Sequence, residues 1–240
     1  MDCAGRLLGS MEEIDKNNDR KRSQPLPVKN AGFRLGTSQE KGPDDHLESI
    51  VGTSEDIKAI LSQRKDAYAV TWSPDGTVVA FVVGDTQGME GQMYLWFSGD
   101  QRPKLISGIT DRICDFYWSP DSQYVFVDTG TSAQRGGIIV SVEQHKEIGR
   151  IGYTHRPQWS PDSKMVALGV VRKVEPPIPW ELDGTIDLAL YNVETGELNV
   201  VATGTNEVYY YPVKWDRDGT LTYEKHFINN EKVERLKYKK

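Results

Sequence analysis

The sequence predicts an all-β protein built from four similar units in a row, and three observations support this prediction. A five-residue motif occurs three times, and once more in altered form, at spacings of 46, 41 and 56 residues. Each copy lies between short apolar runs rich in β-branched and aromatic residues, which are typical of strands. Of the 6 Phe, 6 Trp and 11 Tyr, all except Phe33 lie beyond residue 50. The core is therefore expected after residue 50.

The first fifty residues are polar and poor in aromatic side chains, so residues 1–50 are expected to form a disordered tail or tether. Cys3-Ala4-Gly5 followed by a polar stretch resembles the start of a mature bacterial lipoprotein, whose cysteine carries the lipid. The sequence as given shows no export signal before Cys3, which predicts a cytoplasmic protein. An in-frame apolar segment upstream of Met1 would instead predict a chain tethered to the cell envelope.

The repeated motif predicts a tight turn at the end of a strand. Proline presets φ near −65° at the second position of such a turn, and Asp followed by Gly or Ser favours its exit. The tryptophan ends the entering strand, where its ring can cover the contact between neighbouring sheets. The copies are Trp72-Ser73-Pro74-Asp75-Gly76, Trp118-Ser119-Pro120-Asp121-Ser122, Trp159-Ser160-Pro161-Asp162-Ser163 and Trp215-Asp216-Arg217-Asp218-Gly219. We therefore assign a structural role to their Trp, Pro and Asp residues: Trp72, Pro74, Asp75, Trp118, Pro120, Asp121, Trp159, Pro161, Asp162, Trp215 and Asp218.

Each motif belongs to a predicted meander of four strands. In the first unit the strands are expected at 67–72, 78–83, 92–97 and 104–107. In the second they are expected at 113–118, 124–128, 137–142 and 147–151, and in the third at 156–159, 165–170, 186–191 and 198–202. Four-stranded units of about 40–55 residues are the signature of β-propeller blades. The blades are predicted to span about 67–107, 113–152, 156–202 and 209–240 of one domain, residues 51–240.

The fourth unit supplies three strands, at 209–215, 220–225 and 233–238, and lacks one. An extra strand expected at 56–61 would complete this unit and close a four-bladed ring. Closure would remove exposed sheet edges, which favours a closed ring over an open arc. The open arc, in which half-rings could associate with one another, and a different all-β arrangement stay as alternatives.

The Trp-Ser-Pro-Asp-Gly/Ser repeat, followed by an apolar strand, resembles the WD40-like repeats of the TolB-like propeller families over about residues 56–240. The resemblance implies a propeller whose repeat motif is structural. Propellers of this kind serve as protein-interaction platforms in bacterial envelopes and as substrate-gating domains in prolyl-oligopeptidase-like enzymes. Most of these relatives have six or more blades, so the four units of this chain depart from the pattern.

Composition and motifs argue against several classes of function. The net charge of −6, from 29 basic and 35 acidic residues, disfavours nucleic acid as a partner. No apolar stretch approaches the roughly 20 residues of a membrane-spanning helix. The four histidines and two cysteines show no metal-binding spacing, so neither a metal nor another cofactor is expected. No Gly-x-Ser-x-Gly motif of a serine hydrolase occurs in the sequence.

The candidate binding residues come from loops that the meander topology places on one face. In the third unit the connection over 172–184 is enlarged and contains three prolines. These prolines would hold Trp180 out as a binding anchor, unless its ring folds back over the blade. His155 and His226 are expected in loops of the same face, where the two side chains could share a site. The residues expected around the channel mouth are Arg112, Arg135, His155, Arg156, Trp180 and Tyr209.

Guanidinium and aromatic groups in this combination suit carboxylates or a peptide segment. The sequence therefore predicts a non-catalytic propeller that presents its loop face to a protein or peptide partner. The alternative is a propeller that uses the channel mouth to bind a small molecule or carbohydrate, or to hydrolyse one.

Overall fold

The computed structural model describes residues 52–84, 91–109, 111–130, 134–172 and 184–239. The predicted tail over 1–50 and Trp180 lie outside these residues. In the described part, one helix, α1 (Ser54–Gln63), precedes fourteen strands. The strands are β1 (Ala67–Trp72), β2 (Val78–Gly84), β3 (Gly91–Phe97), β4 (Lys104–Ile106), β5 (Ile113–Trp118), β6 (Tyr124–Thr129), β7 (Arg135–Ser141), β8 (Lys146–Trp159), β9 (Met165–Arg172), β10 (Thr185–Asn192), β11 (Leu198–Ala202), β12 (Val208–Trp215), β13 (Thr220–Phe227) and β14 (Val233–Lys239).

The strands form three antiparallel sheets of four, seven and three strands, in the orders β1-β2-β3-β4, β11-β10-β9-β8-β7-β6-β5 and β12-β13-β14. Strand β8 joins two meanders in the seven-stranded sheet. Its part from Lys146 to Tyr153 pairs with β7, and its part from Thr154 to Trp159 pairs with β9. The strands expected separately at 147–151 and 156–159 are therefore one strand. We call β1–β4 the first unit, β5–β7 with the start of β8 the second, the end of β8 with β9–β11 the third, and β12–β14 the fourth.

The segment 56–61 is a helix and not the closing strand that the sequence was expected to supply. Thr53 caps α1 in a capping box with Asp56, whose carboxylate accepts the Thr53 backbone N–H at 2.9 Å. Ile57 and Leu61 are buried, and their spacing of four residues places them on one side of the helix. They pack on the first unit, so the prediction that this segment completes the fourth unit is wrong.

Alternation along the strands gives the first unit two apolar faces. In the first unit, Val79 and Phe81 face α1, whereas Ala80 and Val82 belong to the cluster shared with the second unit. Helix α1 therefore covers the face that lies away from the second unit. No strand of the described residues pairs with β14 on its outer side, so the sheet of the fourth unit remains open.

The motif turns are built in the same way in the first three units. In the first, the Ser73 hydroxyl donates to Asp75 Oδ1 at 2.6 Å and accepts the Val78 backbone N–H at 3.0 Å. Asp75 Oδ1 also accepts the Thr77 backbone N–H at 3.0 Å. Equivalent bonds occur around Asp121 and Asp162. The carboxylates are therefore engaged in closing the turns.

The motif tryptophans link each unit to the unit before it. The indole N–H of Trp118 donates to the Thr71 carbonyl at 3.1 Å, and that of Trp159 donates to the Tyr117 carbonyl at 2.9 Å. Trp215 bonds in the same way to the Gln158 carbonyl, at 3.1 Å. In each case the acceptor directly precedes the tryptophan of the preceding unit. We call these contacts between successive units the seams.

Candidate functional site

The first strands of the four units line an open cavity of about 820 Å³. These strands are β1, β5, the second half of β8, and β12, and one glutamate of β13 adds to the wall. The wall carries Tyr117, Trp118, His155, Arg156 and Glu224 among its polar and aromatic groups. We call this cavity the channel, because strands of every unit contribute to it.

Each strand of the channel wall has an irregular register. In β8 the irregularity lies between Thr154 and Gln158, and within it His155 has a φ of +65°. In β1 it lies between Tyr68 and Thr71, and Ala69 there has a φ of +51°. Residues other than glycine rarely adopt a positive φ, and such strain is concentrated at functional sites. The backbone is therefore distorted where β8 presents His155 to the channel.

A continuous stack of rings occupies the junction of the third and fourth units. The His155 ring lies on Tyr211 with centroids 4.4 Å apart and an interplanar angle of 18°. Tyr211 meets Tyr209 edge to face at 5.2 Å, and Tyr209 stacks on His226 at 4.8 Å. The register of β12 and β13 explains this arrangement, because it places Tyr209 opposite His226 and Tyr211 opposite Glu224. We call these four rings the ring stack.

Glu224 connects the ring stack to the outer strand of the fourth unit. Its carboxylate lies 3.1 Å from His226 Nε2 and accepts a hydrogen bond from Arg235 Nε at 3.0 Å. Burial alone would raise the pKa of Glu224, but the bonds from Arg235 and His226 outweigh burial and lower it. Glu224 is therefore held as a carboxylate at the edge of the channel.

Packing within the ring stack shifts two pKa values. Residue His155 as a whole remains exposed, yet partial desolvation among the rings lowers its pKa, with His226 adding to the effect and Glu224 opposing it. Burial, together with the neighbouring Tyr209, raises the pKa of Tyr211 to about 12. The rings of His155 and Tyr211 thus meet in their neutral forms near pH 7.

Arg156 is the cation of the wall beside the ring stack. Its guanidinium lies over the Tyr117 ring, 5.3 Å from the centroid, in cation–π geometry. Burial and the carboxylates of Asp115 and Asp128 raise the pKa of Tyr117 to about 12. Tyr117 therefore serves as a neutral aromatic platform for Arg156.

Arg135 is tied into the second unit. Its guanidinium lies 2.5 Å from the buried Asp128 carboxylate, which also accepts the Tyr153 hydroxyl at 2.6 Å. Burial raises the pKa of Asp128 despite these hydrogen bonds. Arg112 lies just before β5, where its carbonyl oxygen accepts the Gly130 N–H at 2.9 Å. Neither Arg112 nor Arg135 is among the described residues that line the channel.

Of the residues predicted from sequence, His155 and Arg156 line the channel, and Tyr209 belongs to the ring stack beside it. His155 and His226 contact the same Tyr211 ring, which brings together the two histidines expected on one face. Trp180 lies outside the described residues. The binding roles of all these residues stay predictions.

Sequence reasoning missed Tyr117, Tyr211 and Glu224. A signal existed for the last two, because Tyr209–Tyr211 and Glu224–His226 each occupy alternate positions of a strand and so share a face. Tyr117 directly precedes a motif tryptophan, a position that gave no such signal. Within the described ranges, no group of three or more His, Cys, Asp or Glu side chains is arranged to hold a metal ion.

Comparison with known proteins finds no family model that matches this chain and no characterised relative by sequence. Solved structures do match. The β-propeller domain of the trilobed protease from Pyrococcus furiosus aligns at 15% identity with a TM-score of 0.50, over 72% of this chain and 54% of that one. Acylaminoacyl peptidase from Pyrococcus horikoshii aligns at 14% identity with a TM-score of 0.51, over 73% of this chain and 31% of that one.

The fold is of the β-propeller type. At these identities the similarity shows the fold alone, and the chain spans about half of the first of these structures and about a third of the second. A putative TolB from Agrobacterium tumefaciens aligns at 17% identity with a TM-score of 0.42, over 71% of this chain and 61% of that one. That score is too low to support membership of the TolB-like families. In the described part of the chain, no helix has the length and apolar character needed to cross a membrane.

Proposed function

We propose that this chain is a non-catalytic propeller-type binding module that presents its channel wall to an extended segment of a protein partner. The observation that supports this most is the combination of Arg156 over Tyr117 with the strained His155 in one open cavity of about 820 Å³. A cavity of this size, walled by aromatic rings with a few polar groups, is typical of binding sites.

The polar groups of the wall favour binding over chemistry. Glu224 is engaged by His226 and Arg235, and the His155 ring is stacked on Tyr211. The Arg156 guanidinium lies on a ring face and has no ion pair among the described residues, so it can accept a carboxylate. A partner segment with an acidic side chain beside apolar ones fits this wall.

We propose further that the four units form an open arc and not a closed ring. Helix α1 occupies the outer face of the first unit. Along β14 of the fourth unit the exposed alternate positions are Val233, Arg235, Lys237 and Lys239, so this outer strand is mostly charged where it faces solvent. Terminal repeats with covered or polar outer faces stop repeat arrays from stacking further. An arc would leave the channel open along one side, where an extended segment can enter.

The test is affinity capture with the full chain as bait, followed by quantitative mass spectrometry of the captured proteins. The variant is Arg156→Glu, and the matched control is Arg102→Glu, which makes the same change of charge at an exposed position between β3 and β4. Reversing a charge at a protein interface typically weakens binding about tenfold or more. We expect at least one protein to be lost with Arg156→Glu and kept with Arg102→Glu.

Both variants should melt within about 2 °C of the wild type, because both positions are exposed. If every captured protein is recovered equally by the two variants, the channel wall is not the binding surface. Loss of the same proteins with both variants would mean that overall charge decides the capture, and it would equally refute the proposal.

A small molecule or carbohydrate bound at the channel is the second candidate. The ring stack beside the Glu224 carboxylate supports it, because aromatic faces and a hydrogen-bonding carboxylate suit a sugar as well as a peptide. Saturation-transfer NMR with simple mono- and disaccharides tests it. Transfer that disappears in Tyr209→Ala would favour this candidate, and no transfer to any sugar would exclude it for those sugars.

A further inference from the structure

The seams contain a second repeated hydrogen bond on the face where the motif turns lie. Between the first and second units, the Asp75 backbone N–H donates to Ser122 Oγ at 3.3 Å. Between the second and third, the Asp121 backbone N–H donates to Ser163 Oγ at 3.1 Å. Both serines are the fifth residues of their motifs, are buried and have a positive φ, +64° and +60°.

The seam between the third and fourth units cannot make this bond. The fifth motif residue there is Gly219, with a φ of +78° and no hydroxyl group to accept the Asp162 N–H. A cavity of about 470 Å³ opens at this seam, whereas the cavity at the preceding seam has about 170 Å³. The loss of the bridging side chain coincides with the larger opening.

The cavity has an apolar floor. Met165 and Leu190 of the third unit and Trp215 of the fourth unit line it. The Trp215 indole is fixed by its hydrogen bond to the Gln158 carbonyl, so the floor is held in place. We call the space among Met165, Leu190, Trp215, Arg217 and Gly219 the seam cleft.

The rim of the seam cleft carries the cations Lys164, Arg217 and Lys239 and the carboxylates Asp162 and Asp218. Asp218 pairs with Lys239 at 3.1 Å, and Lys164 pairs with Glu194 at 3.3 Å. The Asp162 carboxylate is engaged in its own turn. Arg217 is exposed and has no ion pair among the described residues. A guanidinium beside an apolar floor recognises a carboxylate attached to an apolar group.

We propose that the seam cleft binds a ligand that carries an apolar group next to a carboxylate, supplied either by a small organic acid or by a segment of a partner peptide. The carboxylate pairs with Arg217, and the apolar group packs on Trp215 and Met165. This site lies on the motif-turn face and does not depend on the binding role proposed for the channel wall.

The test follows the Met165 methyl group by NMR in the full chain labelled at its five methionines, with Met165→Leu to assign the signal. The small-acid probe is N-acetyl-leucine, and its matched control is the neutral N-acetyl-leucinamide. The peptide probe is acetyl-Gly-Leu-Asp-Gly-amide. For ligands of this size we expect a dissociation constant of about 1–10 mM for the acid. The amide should bind about tenfold more weakly, because it lacks the charge-assisted hydrogen bonds.

Two variants test the two parts of the argument. Arg217→Ser should weaken binding of the charged probes about tenfold, because it removes the cation at an exposed position. Gly219→Ser should supply the hydroxyl group that accepts the backbone N–H of the motif aspartate at the two other seams, and so narrow the opening. A Cβ at Gly219 would meet no atom within 4 Å, and serine already adopts a positive φ at the two equivalent positions. Gly219→Ser should therefore raise the melting temperature and weaken binding, so that the Met165 signal shifts less at the same probe concentration.

Tighter binding of the peptide than of the acid would identify a partner segment as the source, and the reverse would identify a small acid; either supports the site. No saturable shift with either probe overturns the proposal, as does equal binding of the amide. A Gly219→Ser protein that binds as the wild type does, or that melts no higher, overturns the explanation from the missing serine. None of these outcomes depends on capture through Arg156, so the two proposals can fail separately.

Discussion

Replacing Ile57 by alanine should detach α1 from the first unit before the sheets unfold. Ile57 is 0% exposed and packs with Leu61 against Val79, Phe81 and their neighbours. Truncating a fully buried isoleucine removes three carbon atoms and leaves a cavity, which costs about 3 kcal/mol. A ten-residue helix is marginal by itself in water, so its docking depends on this burial.

If the free energy that holds α1 on the first unit falls by about 3 kcal/mol, the population of the detached helix increases about 100-fold. The assay is hydrogen–deuterium exchange of residues 54–63, with β6 as an internal reference. Exchange in the helix should accelerate by about that factor, while β6, in the second unit, should change little. The matched control is Gln63→Ala, an exposed position of the same helix, which should leave exchange nearly unchanged.

Detachment would also expose the apolar face of the first unit, including Tyr94 and Trp96. Binding of a hydrophobic dye or dimerisation on a sizing column should therefore increase in Ile57→Ala and not in Gln63→Ala. The reasoning is refuted if exchange in 54–63 is unchanged, because α1 would then be held by something other than Ile57. Equal acceleration in β6 would show instead that helix and sheets unfold as one unit.

Two further predictions concern the seams and the ring stack. Trp159→Phe removes the indole hydrogen bond to the Tyr117 carbonyl and should lower the free energy of unfolding, measured in urea, by about 1–3 kcal/mol. Trp72→Phe should lower it less, because the Trp72 indole makes no such bond to another unit in the described part of the chain. Equal losses in the two variants would contradict the seam role. The raised pKa of Tyr211, about 12, means that this side chain stabilises the fold fully below its unfolded pKa of about 10, and that the stabilisation is lost as pH rises from about 10 to 12. Tyr211→Phe should therefore reduce the fall in stability over that pH range, and an identical fall in the two proteins would disprove the burial argument.

The prediction of an all-β, propeller-type fold from the sequence is confirmed, because the information is local and repeated. Each motif contains its own turn chemistry, in which Ser, Pro and Asp close the turn within a few residues. The apolar runs beside each motif then predict the strand before the turn and the strand after it. These signals involve residues close together in the chain, so each unit carries them in its own sequence.

The segment 56–61 shows where such reasoning fails. Its apolar residues are few, and a short apolar run does not distinguish strand from helix by periodicity alone. The four-residue spacing of Ile57 and Leu61 and the capping box at Thr53 favoured a helix. The missing strand of the fourth unit and the cost of an exposed sheet edge predicted a strand instead. A buried apolar face on the first unit then gave the helix its docking surface.

The candidate site was predicted in part. His155, Arg156 and Tyr209 were identified from loop positions, but Tyr211 and Glu224 reach the same place through strand register, which sets which residues of β12 and β13 face each other. Arg135 looked free to bind in sequence, yet a buried Asp128 seven residues away engages it. Pairings of this kind depend on which side chains the fold brings together.

The repeat of one strand-and-turn unit can be seen in the amino-acid sequence, because each motif closes its turn through bonds among neighbouring residues. The way the units combine depends on contacts between distant residues: β8 runs from one unit into the next, α1 covers the first unit, and the ring stack joins the third and fourth. The structure also shows what the fifth motif residue does. Ser122 and Ser163 each accept a hydrogen bond across a seam, and Gly219 at the equivalent position has no hydroxyl group to accept one. Contacts between units join residues that are far apart in the sequence, so the sequence of one unit does not specify them.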